Sequence, residues 1–254
     1  EEKNDLNFSK LLASSFDIYI NDAFSASHRN HASITGITNF LPSYSGLSFS
    51  KEIENLDNFL ENSKKPNLAI IGGSKVSTKI KVLENLVEIF DSLVIGGAMA
   101  NTFLLSNNYN VGSSLVENDF INLSKEIQKK AKSKNCKILL PIDVVCSKNL
   151  EDRENVNTYS INNIPNNQMI LDLGEKSTKL ISNEILKSKS LLWNGPLGAF
   201  EYSPFDKSTI SVANIIQNFS GNSQLDALAG GGDTLAAIKK AEANEAFKYL
   251  STAG

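Results

Sequence analysis

The sequence has only two cysteines, Cys136 and Cys146, and no apolar stretch that approaches the length of a membrane span. A helix needs roughly 20 apolar residues in a row to cross a bilayer. The cysteines are ten residues apart, without the spacing of a metal site, and a chain of 254 residues does not need a disulfide to be stable. We therefore expect two reduced, semi-buried thiols in a cytoplasmic protein that has no membrane partner.

The sequence also lacks a large excess of either charge, since the formal net charge is −3 over the whole chain. A balance this close to neutral gives no general electrostatic reason to bind nucleic acid or an acidic membrane. We expect neither partner.

Two common phosphate-binding motifs are absent. A Walker P-loop requires a Gly-Lys pair, and the sequence contains none. A dinucleotide-binding fold requires Gly-x-Gly-x-x-Gly and an acidic residue at the end of the next strand, but the next apolar run ends in Leu93-Val94-Ile95-Gly96. These absences disfavour a P-loop enzyme and a nicotinamide-dependent oxidoreductase.

Short apolar runs rich in β-branched residues recur along the chain, and most of them end in glycine or a small polar residue. Continuous rather than alternating apolar runs are typical of parallel strands that are covered on both faces. Segments of helical periodicity lie between them, and this alternation predicts a doubly wound α/β sheet of the Rossmann-like type. The predicted strands are 16–22, 67–73, 92–98, 137–145, 168–174, 190–196, 226–232 and 248–254, and the predicted helices are 75–90, 118–134, 176–188, 207–218 and 233–243.

The segment 48–67 differs from the rest because it is polar, with an apolar stripe at Ile53, Leu56 and Leu60. We interpret it as a helix that connects an incomplete N-terminal piece, residues 1–47, to the main domain.

Lys75 and Lys79 stand at the start of the predicted helix 75–90, where the helix dipole disfavours positive charge. From Asn62 to Leu83 the chain carries five lysines and no acidic residue. Both side chains could simply extend along the apolar edge of the helix. Alternatively, a polyanion completes the site, bound by the two ammonium groups and by backbone N–H groups at Gly72-Gly73. Lys81 faces water in either case.

Three other clusters follow predicted strands, and each has a structural and a functional interpretation. Asp233 could cap a helix, or it could hold magnesium beside Gly230–Gly232, whose backbone a ligand can approach closely. Asn194-Gly195-Pro196 reads as a turn or as part of a ligand cleft. His28 and Arg29 belong to a solvated loop or to a site for an anionic substrate.

Taken together and in order, these clusters resemble the phosphoglycerate kinase family over essentially the whole chain. The most specific segments are GGSKVSTK (72–79), WNGPLGAFE (193–201) and GGGDT (230–234). The other matching segments are NDAFSASHRNHAS (21–33), LVIGGAMANTFLL (93–105), KILLPIDVV (137–145), ILDLGEKS (170–177) and YLSTAG (249–254).

The resemblance implies phosphoryl transfer between 1,3-bisphosphoglycerate and ADP, giving 3-phosphoglycerate and ATP, with Mg²⁺. It implies two Rossmann-like domains joined by a helix: residues 1–47 from the N-terminal domain, 48–65 as the interdomain helix and 66–254 as the nucleotide-binding domain. The family is typically monomeric.

The same resemblance assigns roles to individual residues. Lys75 and Lys79, with Gly231 and Gly232, are implied to be catalytic, and Asp233 is implied to be on the magnesium side. His28 and Arg29 are implied to bind 3-phosphoglycerate. The implied nucleotide-binding residues are Gly72, Gly73, Lys75, Lys79, Gly96, Gly97, Asn194, Pro196, Glu201, Gly231, Gly232, Asp233 and Thr234.

The chain also departs from the family pattern. Most of the family's N-terminal domain and its final segment have no counterpart here, and Ser25 and Ala253 stand where glycine is usual. We therefore expect a truncated member that binds nucleotide and has negligible kinase activity by itself. The alternative is a non-catalytic nucleotide-binding or scaffold protein of the same fold.

Overall fold

The computed structural model describes residues 1–221 and 224–251, and the chain divides into two units. Of the described residues, unit 1 comprises 1–62 together with Ser251, and unit 2 comprises those from 63 to 250. The end of the predicted strand 248–254, including Ala253, lies outside the described residues. Within the described ranges, no helix is both long enough and apolar enough to cross a bilayer.

Unit 1 contains two α-helices and a pair of short strands, besides short 3₁₀ and π-helical turns. The α-helices and strands are α1 (Leu6–Ala13), β1 (Tyr19–Asn21), β2 (Ser43–Ser45) and α2 (Leu47–Glu61). β1 and β2 pair in parallel. The carboxylate of Asp22 accepts a hydrogen bond from the Phe49 amide (2.9 Å), which satisfies a donor in the first turn of α2. The helix predicted over 48–65 is thus present, although it ends at Glu61.

The main sheet of unit 2 confirms the predicted parallel α/β architecture. Its strands lie in the order β11, β10, β9, β3, β4, β5. They are β3 (Asn67–Ile71), β4 (Ser92–Ile95), β5 (Lys137–Leu139), β9 (Ser190–Asn194), β10 (Asp226–Gly230) and β11 (Tyr249–Ser251). The pairs β3–β4, β4–β5, β3–β9 and β9–β10 are all parallel.

Both faces of β3 are covered, as its continuous apolar sequence predicts. Leu68 and Ile70 pack in a core cluster with Ile181 and Val212. Ala69 and Ile71 point to the opposite face, because side chains alternate along a strand, and they are also fully buried.

Within unit 2, one predicted strand and part of another lie outside the parallel sheet, and there the prediction is wrong. The run 137–145 is interrupted at Pro141, after which the chain enters a second, antiparallel sheet that also contains the run predicted over 168–174. Its strands lie in the order β7, β6, β8, and they are β6 (Asp143–Ser147), β7 (Asn157–Ser160) and β8 (Met169–Leu173).

Helices of unit 2 follow the predicted pattern with two exceptions. They are α3 (Ile80–Ile89), α4 (Met99–Ser106), α5 (Ile121–Ser133), α6 (Glu175–Ile185), α7 (Lys207–Ser220) and α8 (Gly232–Lys240). α3 begins five residues later than predicted, because residues 74–79 form turns. α4 was not predicted, since it is buried from Met99 to Leu104 and shows no amphipathic periodicity.

Cys136 and Cys146 are unpaired, as the sequence predicts, but they are buried rather than semi-buried. Burial raises the pKa of Cys136 to about 11 and that of Cys146 to about 12, so both thiols stay protonated at neutral pH. Trp193 is fully buried in the core of the main sheet.

Candidate functional site

The glycine-rich segments after β3, β4 and β9 meet at one edge of the main sheet. The Gly72 amide donates to the Asn194 carbonyl (2.9 Å), and the Gly96 amide donates to the Ile71 carbonyl (2.8 Å). The Gly97 amide donates to Leu197 (2.9 Å). This convergence is expected when parallel strands are neighbours, because their carboxyl ends share one edge.

Only glycine fits at positions 72 and 195, because the main chain at Gly72 and the main chain at 195–196 lie too close for side chains. A Cβ added to Gly72 would lie 1.9 Å from the carbonyl oxygen of Pro196. A Cβ on Gly195, whose φ is +102°, would lie 2.2 Å from the Gly72 oxygen. The two segments therefore pack main chain against main chain, without room for side chains between them.

The segment after β10 joins the same edge through Thr234. Its hydroxyl oxygen accepts a hydrogen bond from the Gly195 amide (2.6 Å), and the Thr234 side chain is buried. Gly231, with φ of +95°, holds the N-cap position of α8. The alternative that Asp233 caps this helix is therefore wrong: Asp233 is the second helical residue, and it is exposed.

Gly232 is open on its outer side, since a Cβ added there would meet no heavy atom within 4 Å. The first-turn amides of a helix lack intrahelical partners and carry partial positive charge. Together with the exposed carboxylate of Asp233, the start of α8 can approach a ligand directly.

Lys79 lies beside the end of β9, in the N-cap position of α3. Its ammonium donates to the main-chain oxygen of Asn194 (3.1 Å) and to the side-chain oxygen of the same residue. Burial lowers the pKa of Lys79 to about 8, and the charge of Asp233 acts in the opposite direction. A desolvated cation near an acidic residue and a helix start can bind an anion strongly.

Lys75 and Lys79 both precede α3, and Lys75 is exposed, so the prediction that they stand at the start of a helix 75–90 is wrong. Lys81 is exposed within α3, as predicted. Lys75 and Lys79 both come before the first helical residue, so the loop carries them.

A cavity of about 290 Å³ opens next to these segments. Among the predicted residues, Gly73, Gly97, Pro196, Glu201 and Asp233 line it. Further lining residues that the sequence did not indicate are mainly apolar and include Ala98, Leu115, Leu171, Leu197 and Phe200, with Asn101 and Asp172 among the polar ones. An apolar cavity bordered by a few polar groups is typical of a small-molecule site.

Asp172 is the most strongly perturbed acid at this cavity. Burial raises its pKa to about 7, against the effect of hydrogen bonds from the Ser208 amide (3.0 Å), the Ser208 hydroxyl and the Leu173 amide (2.8 Å). A Cβ on Gly198 would lie 2.2 Å from its carboxylate, so Asp172 packs directly under the segment that leads to Glu201.

Glu117 is a second acid that the sequence did not indicate. Its carboxylate accepts hydrogen bonds from the Ser77 amide (3.0 Å) and the Ser77 hydroxyl (2.6 Å). Burial acts to raise its pKa, but these bonds and the nearby charge of Lys75 outweigh burial, and the pKa of Glu117 is lowered. A contact between residues 40 positions apart has no local sequence signal.

His28 and Arg29 are exposed residues of unit 1, in the turn after a short 3₁₀ helix at Phe24–Ala26. Their assignment to an anionic substrate stays a prediction. Within the part of the chain that the structure describes, no group of three or more His, Cys, Asp or Glu side chains has the arrangement of a metal site.

Comparison with known proteins identifies relatives over the full length of the chain. The sequence profile of the family described as phosphoglycerate kinase matches residues 1–254. Phosphoglycerate kinases of Caulobacter vibrioides and of Chelativorans sp. are 46% and 48% identical to the chain, which is covered completely in both cases. The chain spans 64% of the length of each of these relatives.

Solved structures agree with this comparison. The structure of phosphoglycerate kinase from Coxiella burnetii superposes with a TM-score of 0.84 at 35% identity, over the whole chain and 64% of that protein. Phosphoglycerate kinase from Pyrococcus horikoshii superposes over 98% of the chain and 64% of that protein with a TM-score of 0.79, and at 24% identity this second likeness concerns the fold.

Proposed function

The chain belongs to the phosphoglycerate kinase family, and we propose that unit 2 binds ADP or ATP with magnesium at the carboxyl ends of β3, β4, β9 and β10. In the whole protein, this site serves phosphoryl transfer from 1,3-bisphosphoglycerate to ADP, which gives 3-phosphoglycerate and ATP. The same proposal assigns the protein to glycolysis in the cytoplasm.

The observation that supports the proposal most directly is the position of Lys79. Its ammonium is partly buried, bound to the oxygens of Asn194 and close enough to Asp233 for that charge to act on its pKa. Neutral oxygens replace only part of the hydration of an ammonium group, so an anion that reaches Lys79 gains a strong charge-assisted contact. A nucleotide phosphate has the required charge.

The glycine segments supply the remaining phosphate contacts in this proposal. Gly231 and Gly232 lead into α8, whose first-turn amides and open outer side suit a phosphate. Lys75 adds a second, exposed cation from the loop before α3. Phosphoryl transfer depends mainly on positioning and on stabilisation of charge, and these groups can provide both.

The residues present fit magnesium bound in the manner usual for nucleotide enzymes. Mg²⁺ is commonly held by one or two carboxylates together with substrate phosphates and water. Asp233 is an exposed carboxylate at the cavity and would hold the ion, which would neutralise charge on the phosphates.

The cavity is the proposed place of the nucleoside. Gly73, Gly97 and Pro196 form part of its wall, and Glu201 is an exposed carboxylate at its lining that can accept hydrogen bonds from ribose hydroxyls. In this proposal Gly72 and Gly96 pack closely against the segment 195–197, which forms part of the wall. Thr234 accepts a hydrogen bond from the Gly195 amide and so fixes that segment.

His28 and Arg29 in unit 1 are proposed to contact the phosphoglycerate substrate. The 254 residues contain two arginines, Arg29 and Arg153, and Arg153 lies over the ring of Tyr202. A highly anionic substrate is usually bound by several cations. We therefore expect negligible turnover by the 254-residue chain alone, although it binds nucleotide.

Thermal unfolding with different ligands tests this proposal. Mg-ADP at a concentration well above its Kd should raise the melting temperature, because a ligand that binds only the folded state stabilises it. NAD at the same concentration should give no shift, and a coupled kinase assay should give no activity above background. A shift with NAD but not with Mg-ADP would replace the proposal by an oxidoreductase, and vigorous turnover would refute the expected inactivity.

A further inference from the structure

The loop that carries both lysines, residues 73–79, is held at three points: at Met99 in α4, at Glu117 and at Asn194 in β9. At its start, the Gly73 carbonyl accepts a hydrogen bond from the Met99 amide at the beginning of α4 (3.0 Å). At its end, Lys79 contacts Asn194 on β9. In the middle of the loop, which has no regular secondary structure, the Val76 side chain is fully buried and Ser77 is hydrogen-bonded to a side chain outside the loop.

Glu117 provides that contact in the middle of the loop. Its two carboxylate oxygens accept separate hydrogen bonds from the amide and the hydroxyl of Ser77. Such a two-point contact defines the orientation of the loop, and hydrogen bonds to an ionised acceptor are stronger than neutral ones.

Glu117 is itself anchored to α4. Its amide donates to the hydroxyl oxygen of Thr102 (3.1 Å), and the side-chain amide of Asn101 donates to the Leu115 carbonyl (3.1 Å). Asn101 and Thr102 are both buried. The segment 115–117 is thus hydrogen-bonded to a buried helix. Glu117 in turn fixes the position of the loop through its bonds to Ser77.

We propose that Glu117 is a positioning residue of the nucleotide site, whose carboxylate holds the loop 73–79 so that Lys75 and Lys79 stand where nucleotide phosphates bind. This inference rests on the proposed function. It assigns to Glu117 no contact with the nucleotide, since the residue acts through Ser77.

The negative charge of Glu117 and its proposed positioning role have opposite effects on nucleotide binding. A carboxylate near Lys75 reduces the positive potential that attracts phosphate, so removing it would by electrostatics alone strengthen nucleotide binding. If the carboxylate instead positions the loop, removing it would weaken nucleotide binding. The two effects have opposite signs, and a single substitution therefore separates them.

Calorimetric titration of the full 254-residue chain with Mg-ADP and with adenosine is the first test. For Glu117→Gln, we expect Mg-ADP affinity to fall roughly tenfold, because one of two charge-assisted contacts is lost and the other is weakened, while adenosine affinity is unchanged. Glu126→Gln, at an exposed glutamate of α5, is the matched control and should change neither affinity. Unchanged or tighter Mg-ADP binding by Glu117→Gln, or equal loss for both ligands, would overturn the inference.

Conservative and paired variants check that the effect passes through Ser77. Glu117→Asp keeps the charge with a shorter reach and should recover part of the affinity. Ser77→Ala should weaken Mg-ADP binding less than Glu117→Gln, and the double variant should be no weaker than Glu117→Gln alone. Additive losses would show that the two residues act independently, contrary to the inference.

Hydrogen exchange of the ligand-free chain tests whether Glu117 holds the loop, independently of nucleotide binding. Glu117→Gln should speed amide exchange at residues 77–79 and leave the strands β3 and β9 unchanged. If the unmodified chain does not bind Mg-ADP, the proposed function fails, and exchange then decides whether Glu117 holds the loop. Unchanged exchange at 77–79 would refute that role.

Discussion

The ammonium nitrogen of Lys79 lies 3.1 Å from the main-chain oxygen of Asn194, and it also contacts the side-chain oxygen of that residue. This pair connects the loop before α3 to the end of β9. Burial lowers the pKa of Lys79, and the oxygens of Asn194 give the partly buried ammonium hydrogen-bond partners without a compensating negative charge.

Nucleotide affinity should fall as the pH rises above about 8. The pKa of free Lys79 is lowered to about 8 by burial, and a bound phosphate raises it, because the phosphate favours the charged form. Between these two pKa values binding takes up a proton, and the affinity declines by at most about tenfold per pH unit. Titration calorimetry with Mg-ADP from pH 7 to 9.5, in two buffers of different ionisation enthalpy, measures both effects.

Lys79→Arg is the control for this pH dependence, because a guanidinium stays charged throughout the range. Its affinity should be independent of pH above 8. Release of a proton on binding by the unmodified chain would contradict the assignment of this titration to Lys79.

Gly72→Ala and Gly232→Ala should separate structural from ligand-facing glycines. The new methyl at position 72 would lie 1.9 Å from the Pro196 oxygen, and main chain cannot rotate away, so we expect a loss of about 3 kcal/mol or more in the free energy of unfolding. At position 232 nothing lies within 4 Å, so stability should change by less than about 0.5 kcal/mol while Mg-ADP binding weakens. Urea unfolding followed by the fluorescence of Trp193, the single tryptophan, measures stability. Equal stability of the two variants would contradict the close packing at Gly72.

Asp172 should make stability depend on pH between 5 and 8. Its pKa is raised from 3.8 to about 7 by burial, so the folded state holds a proton that the unfolded state has lost. The contribution is complete below about pH 4 and is lost as the pH rises through 7, which amounts to on the order of 2 kcal/mol between pH 5 and 8. Asp172→Asn cannot titrate, so its stability should decline less over this range in urea unfolding. An equal pH dependence of the free energy of unfolding in the two proteins would show that Asp172 does not titrate between pH 5 and 8 in the folded state.

Much of the main sheet can be predicted from the sequence, because β3, β4, β9 and β10 are continuous apolar runs that end in glycine or a small polar residue. Their neighbouring positions then bring the clusters at Gly72, Asn194 and Gly231 to one edge. The antiparallel pairing of β6 and β8 could not be predicted in this way. A buried run such as 169–173 has the same composition in either orientation, and its direction depends on a partner that is distant in sequence.

The details of the site are also set by distant contacts. The start of α3 was predicted at residue 75, but the Ser77 amide binds Glu117 and the chain stays in turns until Ile80. The lysines at 75 and 79 are distinguished locally by their positive charge at the start of a predicted helix, whereas nothing local distinguishes Glu117 from the other acidic residues of the chain. Asp172 lies on a strand that was assigned to the wrong sheet, so its place at the cavity could not be inferred.

The most direct test of the central claim is a calorimetric titration with Mg-ADP at pH 7 of the unmodified chain and two variants. Lys79→Ala removes the ammonium at Asn194, and Lys81→Ala removes an exposed one two residues later. We predict that the unmodified chain and Lys81→Ala bind Mg-ADP equally, and that Lys79→Ala binds at least about tenfold more weakly, with all three folded. The absence of binding to the folded, unmodified chain at millimolar Mg-ADP, or equal affinities of the two variants, would contradict the account.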